Sequence, residues 1–479
     1  MRQKGRPVIF RKIGLFLISV TLAAWFFVSC GGDTAAPQSQ PPFTTKNTND
    51  RGGETLAQLA ESLGDPTVLD CGVAPVENIA SFPEKYLDDY IRGVDLSSLI
   101  EVESVGGKFY DNDQCNVGDV MELLSYYGIN WVRIRLWNDP FTADGLSYGG
   151  GGDDIKTVIA IGRRAKQWGM KVLLDFHYSD FWASPGQQAR PKAWVDYQTA
   201  DDLAPVLKTW TKDVLYVMSS QGGFLPDMVQ IGNETNDGFC GFRDQGGLEN
   251  TKLNEKKLLA AGLEAVREIS AEYKYPIRTM LHAASSMATI DHYMGIMLQD
   301  PALDFDVIGF SYYPDSYGNR DDFDAGLANL AAKYKKPLCM AEYQTPFTNQ
   351  NGYGSGSSSY SNDNARSFVD TGTDRTLSGQ AQIIRNMNSD IMNCTESDGV
   401  TYGIGAFWWE AAWLPLPGTG WRGANSREWY TMDLPGKPAT AWVDYPVRVS
   451  CANQAFFSFN GTALPSLNVF LQMMGKAAR

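Results

Sequence analysis

The sequence is poor in positive charge. Its 41 Lys and Arg are outnumbered by 55 Asp and Glu, which gives a net charge of −14. Nothing in this balance indicates a basic surface that could neutralise phosphates, so nucleic acid is not an expected partner. The 13 Trp, 22 Tyr and 23 Phe among 479 residues are too many for a disordered chain. We therefore expect a folded, acidic protein rich in aromatic side chains.

The cysteines and histidines are not spaced as metal ligands. No two cysteines form a Cys-x-x-Cys pair, and the three histidines include no His-Glu-x-x-His motif. Zinc is therefore not expected, and we predict no metal ligands. The cysteines beyond Cys30 are even in number, which fits disulfides in an exported chain. Cys339 lies in an apolar run, where a packed free thiol is equally compatible with the sequence.

An apolar run near the N-terminus indicates export. Ile13 to Val28 follow a basic start and fall short of the ~20 residues that span a bilayer, so residues 1–29 are predicted to be a signal peptide. The run leads into Cys30 and resembles a bacterial lipobox. Cys30 is then the lipidation site, residues 30–65 are a flexible tether and 66–479 are a single domain. The expected location is the bacterial cell envelope, at the outer membrane or cell surface; an ordinary cleaved signal and secretion are the alternative.

Apolar, β-branched runs alternate with helical patterns through the rest of the chain. The predicted strands are Tyr90–Ser97, Asn130–Trp137, Lys171–Tyr178, Asp227–Glu234, Arg278–Ala284, Asp306–Tyr313, Lys336–Tyr343 and Gly403–Glu410. Such alternation is typical of parallel sheets, and this number of strands matches an α/β fold of the (β/α)8 TIM-barrel type with extended loops. A doubly wound open sheet is the alternative, but its Gly-x-Gly-x-x-Gly fingerprint does not follow the first strand.

Two glutamates end apolar strands. Glu234 follows the fourth predicted strand and Glu342 lies near the end of the seventh. A carboxylate at the end of a buried strand is costly unless solvent or partners receive it; alone, either could be an ion-paired rim residue. Together, across a barrel mouth, they could perform double displacement at a glycosidic bond. Arg133 and Arg135 alternate with apolar residues and are both expected inside the barrel, where one would keep the nucleophile ionised.

An ordered set of motifs resembles glycoside hydrolase family 53, the endo-β-1,4-galactanases of the retaining barrel clan. The resemblance covers roughly residues 90 to 470. The segments that carry it are Gly93–Ser98, Val132–Pro140, Gly149–Gly151, Lys171–Ala183, Asp227–Glu234, Ser311–Pro314, Ala341–Glu342, Phe407–Glu410, Asn453–Phe457 and Pro465–Leu467. The third-strand segment, Lys171–Ala183, is the most specific of these.

The resemblance implies retaining, endo-acting hydrolysis of β-1,4-galactosidic bonds in galactan and arabinogalactan side chains of pectin. It assigns Glu234 as acid/base, Glu342 as nucleophile, and Asn233 as the partner of the 2-hydroxyl. His177, Tyr312 and Trp408 would line the central subsite, and Trp182 would be a stacking platform further out. The other residues expected to bind substrate are Asp95, Arg135, Trp137 and Asn138.

The chain departs from the family pattern after Glu342. Some bacterial members bind calcium in the following loop, but Gln350–Ser357 carries no carboxylate, so no cofactor is expected to be required and calcium stays an open possibility. The expected partner is the polysaccharide, with membrane contact only through the lipid, and the protein is expected to be a monomer. Two alternatives stay open: an endo-β-1,4-glucanase or mannanase of the same clan, and a glycan-binding lipoprotein without catalysis.

Overall fold

The computed structural model describes residues 89–112, 115, 117–243, 252–313, 317–348, 350, 375–395, 399–423 and 452–476. The predicted signal peptide (1–29), Cys30 and the tether (30–65) lie outside these residues, as does the segment 351–374 that bears on calcium binding. Within the described ranges, no helix combines the length and apolar character needed to cross a membrane.

The described chain forms a closed barrel in which parallel strands follow one another in sequence order and the last pairs with the first. The strands are β1 (Ile91–Asp95), β2 (Trp131–Leu136), β3 (Lys171–Phe176), β4 (Met228–Ile231), β5 (Arg278–Ala284), β6 (Val307–Ser311), β7 (Leu338–Tyr343) and β8 (Gly403–Trp408). The predicted TIM barrel is confirmed, and every predicted strand contains an observed one.

Helices lie outside the barrel, between successive strands and, for the last one, after β8. They are α1 (Leu99–Ser104), α2 (Val120–Tyr126), α3 (Ile155–Gln167), α4 (Ala200–Val217), α5 (Leu253–Tyr273), α6 (Met287–Met297), α7 (Arg320–Tyr334), α8 (Leu377–Met392) and α9 (Asn468–Met473). Several begin where a polar side chain accepts a hydrogen bond from a backbone N–H of the first turn, as Asp154 does for α3 and Thr199 for α4. Such caps satisfy N–H groups that have no partner within the helix.

The strands lie between two apolar layers, one outside the barrel and one inside it. The larger lies between barrel and helices. The smaller draws residues from all eight strands and forms the floor of the barrel interior: Ile91, Trp131, Leu173, Met228, Met280, Val307, Cys339, Ala341 and Phe407. Cys339 is a buried free thiol within this floor. Because alternate residues of a strand share a face, the residues two positions further along form the next interior layer, and on β2 to β5 these residues are polar: Arg133, Asp175, Gln230 and His282.

Candidate active site

Strand β2 supplies the centre of the polar layer. Trp131 belongs to the apolar floor, and Arg133 and Arg135 follow it at intervals of two with no exposed surface. The three side chains therefore form a column inside the barrel, as the alternation along the strand predicted.

Arg133 ties four strand ends together. Its Nη1 lies 3.0 Å from Asp95 of β1, and its Nη2 lies 2.7 Å from Asp175 of β3 and 2.9 Å from Glu342 of β7. Nη2 also donates to the side-chain oxygen of Asn233, just beyond β4, at 2.8 Å. A buried guanidinium is costly without partners, and these contacts compensate that cost. Asp95 is therefore buried in the network and does not face the mouth of the barrel.

A β-bulge points Glu342 into the barrel. Met340 pairs with Phe310, but the next paired residue is Glu342, opposite Ser311, so Ala341 has no partner in the register. Ala341 already belongs to the interior floor. Regular alternation would then turn Glu342 outward, and the extra residue turns it inward instead, which is a frequent role of bulges beside active sites.

Glu234 is held in an unusual backbone conformation. Its φ of +49° lies in the left-handed region, which residues other than glycine adopt at a cost of roughly 1 kcal/mol. The backbone N–H of Glu234 donates to His282 Nδ1 at 3.3 Å. One carboxylate oxygen of Glu234, one of Glu342 and a ring nitrogen of His282 all lie within 4.8 Å of one another. This short separation fits the retaining class of carboxyl pairs, about 5–5.5 Å apart, and not the inverting class.

The two carboxyls have different electrostatic surroundings. Glu234 and Glu342 are only 6% and 4% exposed, and this burial raises the pKa of both. The negative charge of Glu342 raises the pKa of Glu234 further. At Glu342, Arg133 and a hydrogen bond from the Tyr313 hydroxyl, 2.6 Å from Oε2, oppose the rise in pKa. Glu234 therefore keeps its proton to higher pH than Glu342, which is the difference that acid and nucleophile require.

Arg135 binds a second set of carboxylates. Its Nε lies 2.8 Å from Asp153, and its Nη1 lies 2.5 Å from Glu410 and 3.5 Å from Asp95. Its Nη2 donates to the Gly150 carbonyl at 2.7 Å. The side chain of Arg135 is thus surrounded by partners within the protein, and the structure does not present it to a substrate.

Trp182 closes the wall above Arg135. The guanidinium carbon lies 4.4 Å from the Trp182 ring centroid, and Trp421 stacks on the same ring at 4.1 Å with an interplanar angle of 10°. Two groups this close must occupy opposite faces, so Trp182 as placed has no free face for a sugar. A Cβ at Gly150 would come within 2.8 Å of the Trp182 ring, so a side chain there would push the wall apart. Trp137 lies behind Trp182 at 5.1 Å and is fully buried.

The structure does not bring Tyr312 or Trp408 to the carboxylates. Tyr312 packs on Phe323 at 4.3 Å, and its hydroxyl donates to the backbone at Gly318 and Asn319, beside helix α7. Trp408 stacks on Phe456 at 4.7 Å, and its Nε1 donates to the Gln454 carbonyl. Both side chains are part of the layer between the barrel and the outer elements, so the structure does not place them beside the two carboxyls, where the resemblance had them.

The neighbouring aromatic residue takes the inner position in each case. Tyr313 donates to Glu342, and the ring of Trp409 lies 5.7 Å from the Arg133 guanidinium carbon and 5.2 Å from that of Arg135. Neither is among the substrate-binding residues predicted from the sequence. Alternation carries the signal, because Trp409 lies two residues after Phe407 of the barrel floor.

Two further predicted residues lie just after strands β2 and β3. His177 Nε2 is 3.1 Å from Asp175, and its Nδ1 accepts from Trp137 Nε1 at 3.0 Å. These contacts place the proton of His177 on Nε2. Almost none of the surface of His177 is exposed. Asn138 is half-buried, and its backbone N–H donates to the Ser179 carbonyl at 2.8 Å.

Glu234, His282 and Glu342 form the one cluster of potential metal ligands among the described residues. Each is already engaged by the protein. Both ring nitrogens of His282 have hydrogen-bond partners, and Glu342 is held by Arg133 and Tyr313. These contacts fit a catalytic pair of carboxyls better than a metal-binding site.

An eight-stranded barrel that holds two buried carboxyls at short range after β4 and on β7 defines a glycosidase of the retaining barrel type. The chain belongs to glycosyl hydrolase family 53, whose sequence profile matches residues 91–470.

Curated and solved relatives agree with this family. The endo-β-1,4-galactanase of Bacillus subtilis (strain 168) is 35% identical over 399 residues, which covers 80% of this chain and 85% of the relative. The arabinogalactan endo-β-1,4-galactanase of Cellvibrio japonicus is 36% identical over 262 residues, covering 54% and 66%. The solved family 53 catalytic domain of Ignisphaera aggregans has a TM-score of 0.69 at 32% identity and covers 83% of this chain and 99% of its own.

Proposed function

We propose that this protein is an endo-acting, retaining glycosidase that hydrolyses β-1,4-galactosidic bonds in galactan and arabinogalactan. The observation that carries the proposal is the pair of Glu234 and Glu342 in a family 53 barrel. A carboxylate oxygen of one lies within 4.8 Å of a carboxylate oxygen of the other, and the pKa of Glu234 is raised more than that of Glu342. The relatives described above are galactanases by name, which supports the sugar. A neutral polysaccharide needs no basic groove, so the net charge of −14 is compatible with this substrate.

In the first step, the Glu342 carboxylate attacks the anomeric carbon. The bond from that carbon to the glycosidic oxygen breaks, and the oxygen takes the proton of Glu234 as it leaves. The Arg133 contact at 2.9 Å and the Tyr313 hydroxyl favour the ionised form of Glu342 before attack. The product is a galactosyl ester of Glu342.

In the second step, Glu234 acts as a base. It takes a proton from water, the oxygen of which attacks the anomeric carbon and releases Glu342 as a carboxylate. Asn233 directly precedes Glu234 after β4, with its side-chain oxygen on Arg133 and its Nδ2 donating to the Ala183 carbonyl at 2.9 Å. This fixes the amide for a hydrogen bond to the 2-hydroxyl, which strengthens in the transition state.

Product analysis tests the proposal. The protein is incubated with debranched galactan, cellulose and mannan, and Glu342→Gln is carried through the same assay as the control for contaminating activity. We expect short β-1,4-galacto-oligosaccharides from galactan alone. Cutting of cellulose or mannan would favour a glucanase or mannanase, whose subsites need not accept the axial 4-hydroxyl of galactose. Binding of galactan without cutting would favour a glycan-binding protein.

We also propose that Cys30 anchors the enzyme to the bacterial cell envelope through lipid. The support is the basic start, the apolar run and the lipobox-like ending at Cys30. Wild-type protein should incorporate labelled palmitate and sediment with membranes, whereas Cys30→Ala should be unlabelled and soluble. An unlabelled wild type found in the medium would instead support an ordinary cleaved signal and secretion.

A further inference from the structure

His282 and Ser311 form a buried pair beside Glu234. They lie on the adjacent strands β5 and β6, and neither has exposed surface. His282 Nε2 lies 2.9 Å from the Ser311 hydroxyl oxygen, and His282 Nδ1 receives the backbone N–H of Glu234 at 3.3 Å. The two-step reaction described above leaves both residues without a part.

The surroundings of His282 fix its tautomer. Burial, reinforced by the charge of Arg133, lowers the pKa of His282 well below its usual 6.5, so the ring is neutral and has one N–H and one acceptor nitrogen. The Glu234 backbone N–H and the Gln230 amide, 2.9 Å away, can only donate to Nδ1. Asn233 Oδ1 also lies 2.9 Å from Nδ1, but a proton on Nδ1 would oppose the Glu234 backbone N–H that donates there. Nδ1 is therefore the acceptor, and Nε2 carries the proton.

This tautomer gives the Ser311 hydroxyl a direction. Its oxygen accepts from His282 Nε2–H, which leaves its own proton free for the Glu234 carboxyl, and this donor lowers the pKa of that carboxyl. A chain of hydrogen bonds thus runs from the backbone N–H of Glu234 through His282 to the hydroxyl of Ser311.

We propose that Ser311 is a positioning residue for Glu234: with His282 it ties the carboxyl to the strained backbone of the same residue and presents a donor to its ionised form. The inference rests on the acid/base function proposed for Glu234. It assigns Ser311 chiefly to the second step, in which Glu234 must be ionised to take the proton from water.

The other groups facing Glu234 set the direction of the effect. Burial raises the pKa of Glu234 most, the charge of Glu342 adds to the rise, and Ser311 and Arg133 lower it. The titratable or charged groups around Glu234, taken strand by strand, are Arg133 on β2, Asp175 on β3, His282 on β5, Tyr313 after β6 and Glu342 on β7. Loss of the Ser311 donor therefore raises the pKa of Glu234 while the other groups are unchanged.

The test compares Ser311→Ala, Ser311→Thr and Ser466→Ala. Thr keeps the hydroxyl, and Ser466 is a matched control because it is also fully buried and donates to a side chain, Gln380 Oε1, at 2.6 Å. In Ser311→Ala we expect the basic limb of the kcat/KM profile on galactan to move up by about one pH unit, the worth of a hydrogen bond to a charged group. For an aryl β-galactobioside with a good leaving group, limited by the second step, we expect kcat to fall roughly tenfold.

Each outcome decides the inference. Ser311→Thr should restore both readouts, and Ser466→Ala should leave the profile unmoved. An unmoved basic limb in Ser311→Ala, or an equal shift in Ser466→Ala, overturns the inference while an active wild type keeps the proposed function. A wild type that cuts no galactan overturns the function itself. If Ser311→Ala does not fold, Ser311→Cys, which keeps the size but is a weak donor, should show the shift that Ser311→Thr lacks.

Discussion

Arg133 and Arg135 differ in their surroundings although they are two residues apart on one strand. Both have no exposed surface, and each binds three carboxylates, with Asp95 shared between them. The set around Arg133 includes Glu342, which keeps a small exposed edge at the barrel mouth. The set around Arg135 ends at Glu410, which has none. The first network therefore leads to the reacting groups, and the second ends inside the wall.

The two arginines differ in what lies against them. Arg133 lies below the two carboxyls, whereas Arg135 is covered by Trp182 and the Gly150 carbonyl. A buried ion pair is weak evidence for stability by itself, because desolvation offsets attraction. In this barrel one network contacts Glu342, the proposed nucleophile, and the other links β2 to Glu410 after β8 and to Gly150 in the loop after β2.

The strongest test applies the same change to both networks. Glu342→Gln removes the nucleophile, so we expect kcat on galactan to fall by about 10⁴-fold or more, the scale seen when a nucleophile is lost. Glu410→Gln keeps an acceptor beside Arg135 and should change kcat by less than about tenfold. Near-normal turnover in Glu342→Gln would remove Glu342 from the mechanism. Equal losses in both variants, with both folded by circular dichroism, would erase the contrast.

Glu234→Ala tests the partner of Glu342. Loss of general acid catalysis should lower kcat on galactan by roughly 10²–10⁴-fold. Substrates with good leaving groups need little protonation, so an aryl galactobioside should lose much less in the first step. Azide should then restore turnover and yield a β-galactosyl azide, because it attacks the intermediate without a base. A loss of the same size on both substrates would argue against the acid/base assignment.

Arg133→Lys and Arg135→Lys separate positioning from architecture. A lysine keeps the charge but cannot hold several carboxylates in a fixed plane. Arg133→Lys should lower kcat about a hundredfold, because small displacements of the nucleophile are expensive. Arg135→Lys should keep kcat within about tenfold while it lowers the free energy of unfolding by roughly 3 kcal/mol. Steady-state kinetics and urea denaturation measure the two effects; reversed results would show that the wall network sets catalysis.

The sequence was sufficient to predict the barrel, the closeness of Glu234 and Glu342, and the inward direction of both arginines. These depend on features visible along one strand: apolar runs, a carboxylate at a strand end, and regular alternation on β2. It was not sufficient to choose within Tyr312-Tyr313 or Trp408-Trp409, since one position decides which ring faces the mouth and which faces the helices.

Strand β7 shows a second limit. Ala341 and Glu342 both face inward because of the bulge, so alternation alone would place one of them wrongly. The backbone of Glu234 is left-handed, and its N–H donates to His282, which in turn contacts Ser311. These features depend on contacts among β4, β5 and β6, which no local sequence pattern encodes. Arg135 was predicted to bind substrate for a similar reason. Its partners Asp153 and Gly150 lie in the loop after β2, and the sequence does not show that they contact Arg135.

The smallest expected effect concerns how the wall network responds to pH. Burial raises the pKa of Glu410 from 4.5 to about 7, against the opposing charge of Arg135. Between these values the folded protein holds a proton that the unfolded chain releases, so the free energy of unfolding should fall as pH rises from about 5 to 8. Glu410→Gln should flatten this fall by on the order of 2–3 kcal/mol, whereas Glu264→Gln on the exposed surface should not. Part of the slope should persist, because Glu101, which accepts from the Gly151 backbone, has a pKa raised to about 8. Urea denaturation at pH 5 and pH 8 measures the difference; an unchanged slope in Glu410→Gln would mean that Arg135 keeps Glu410 ionised, and that the two arginine networks are electrostatically alike.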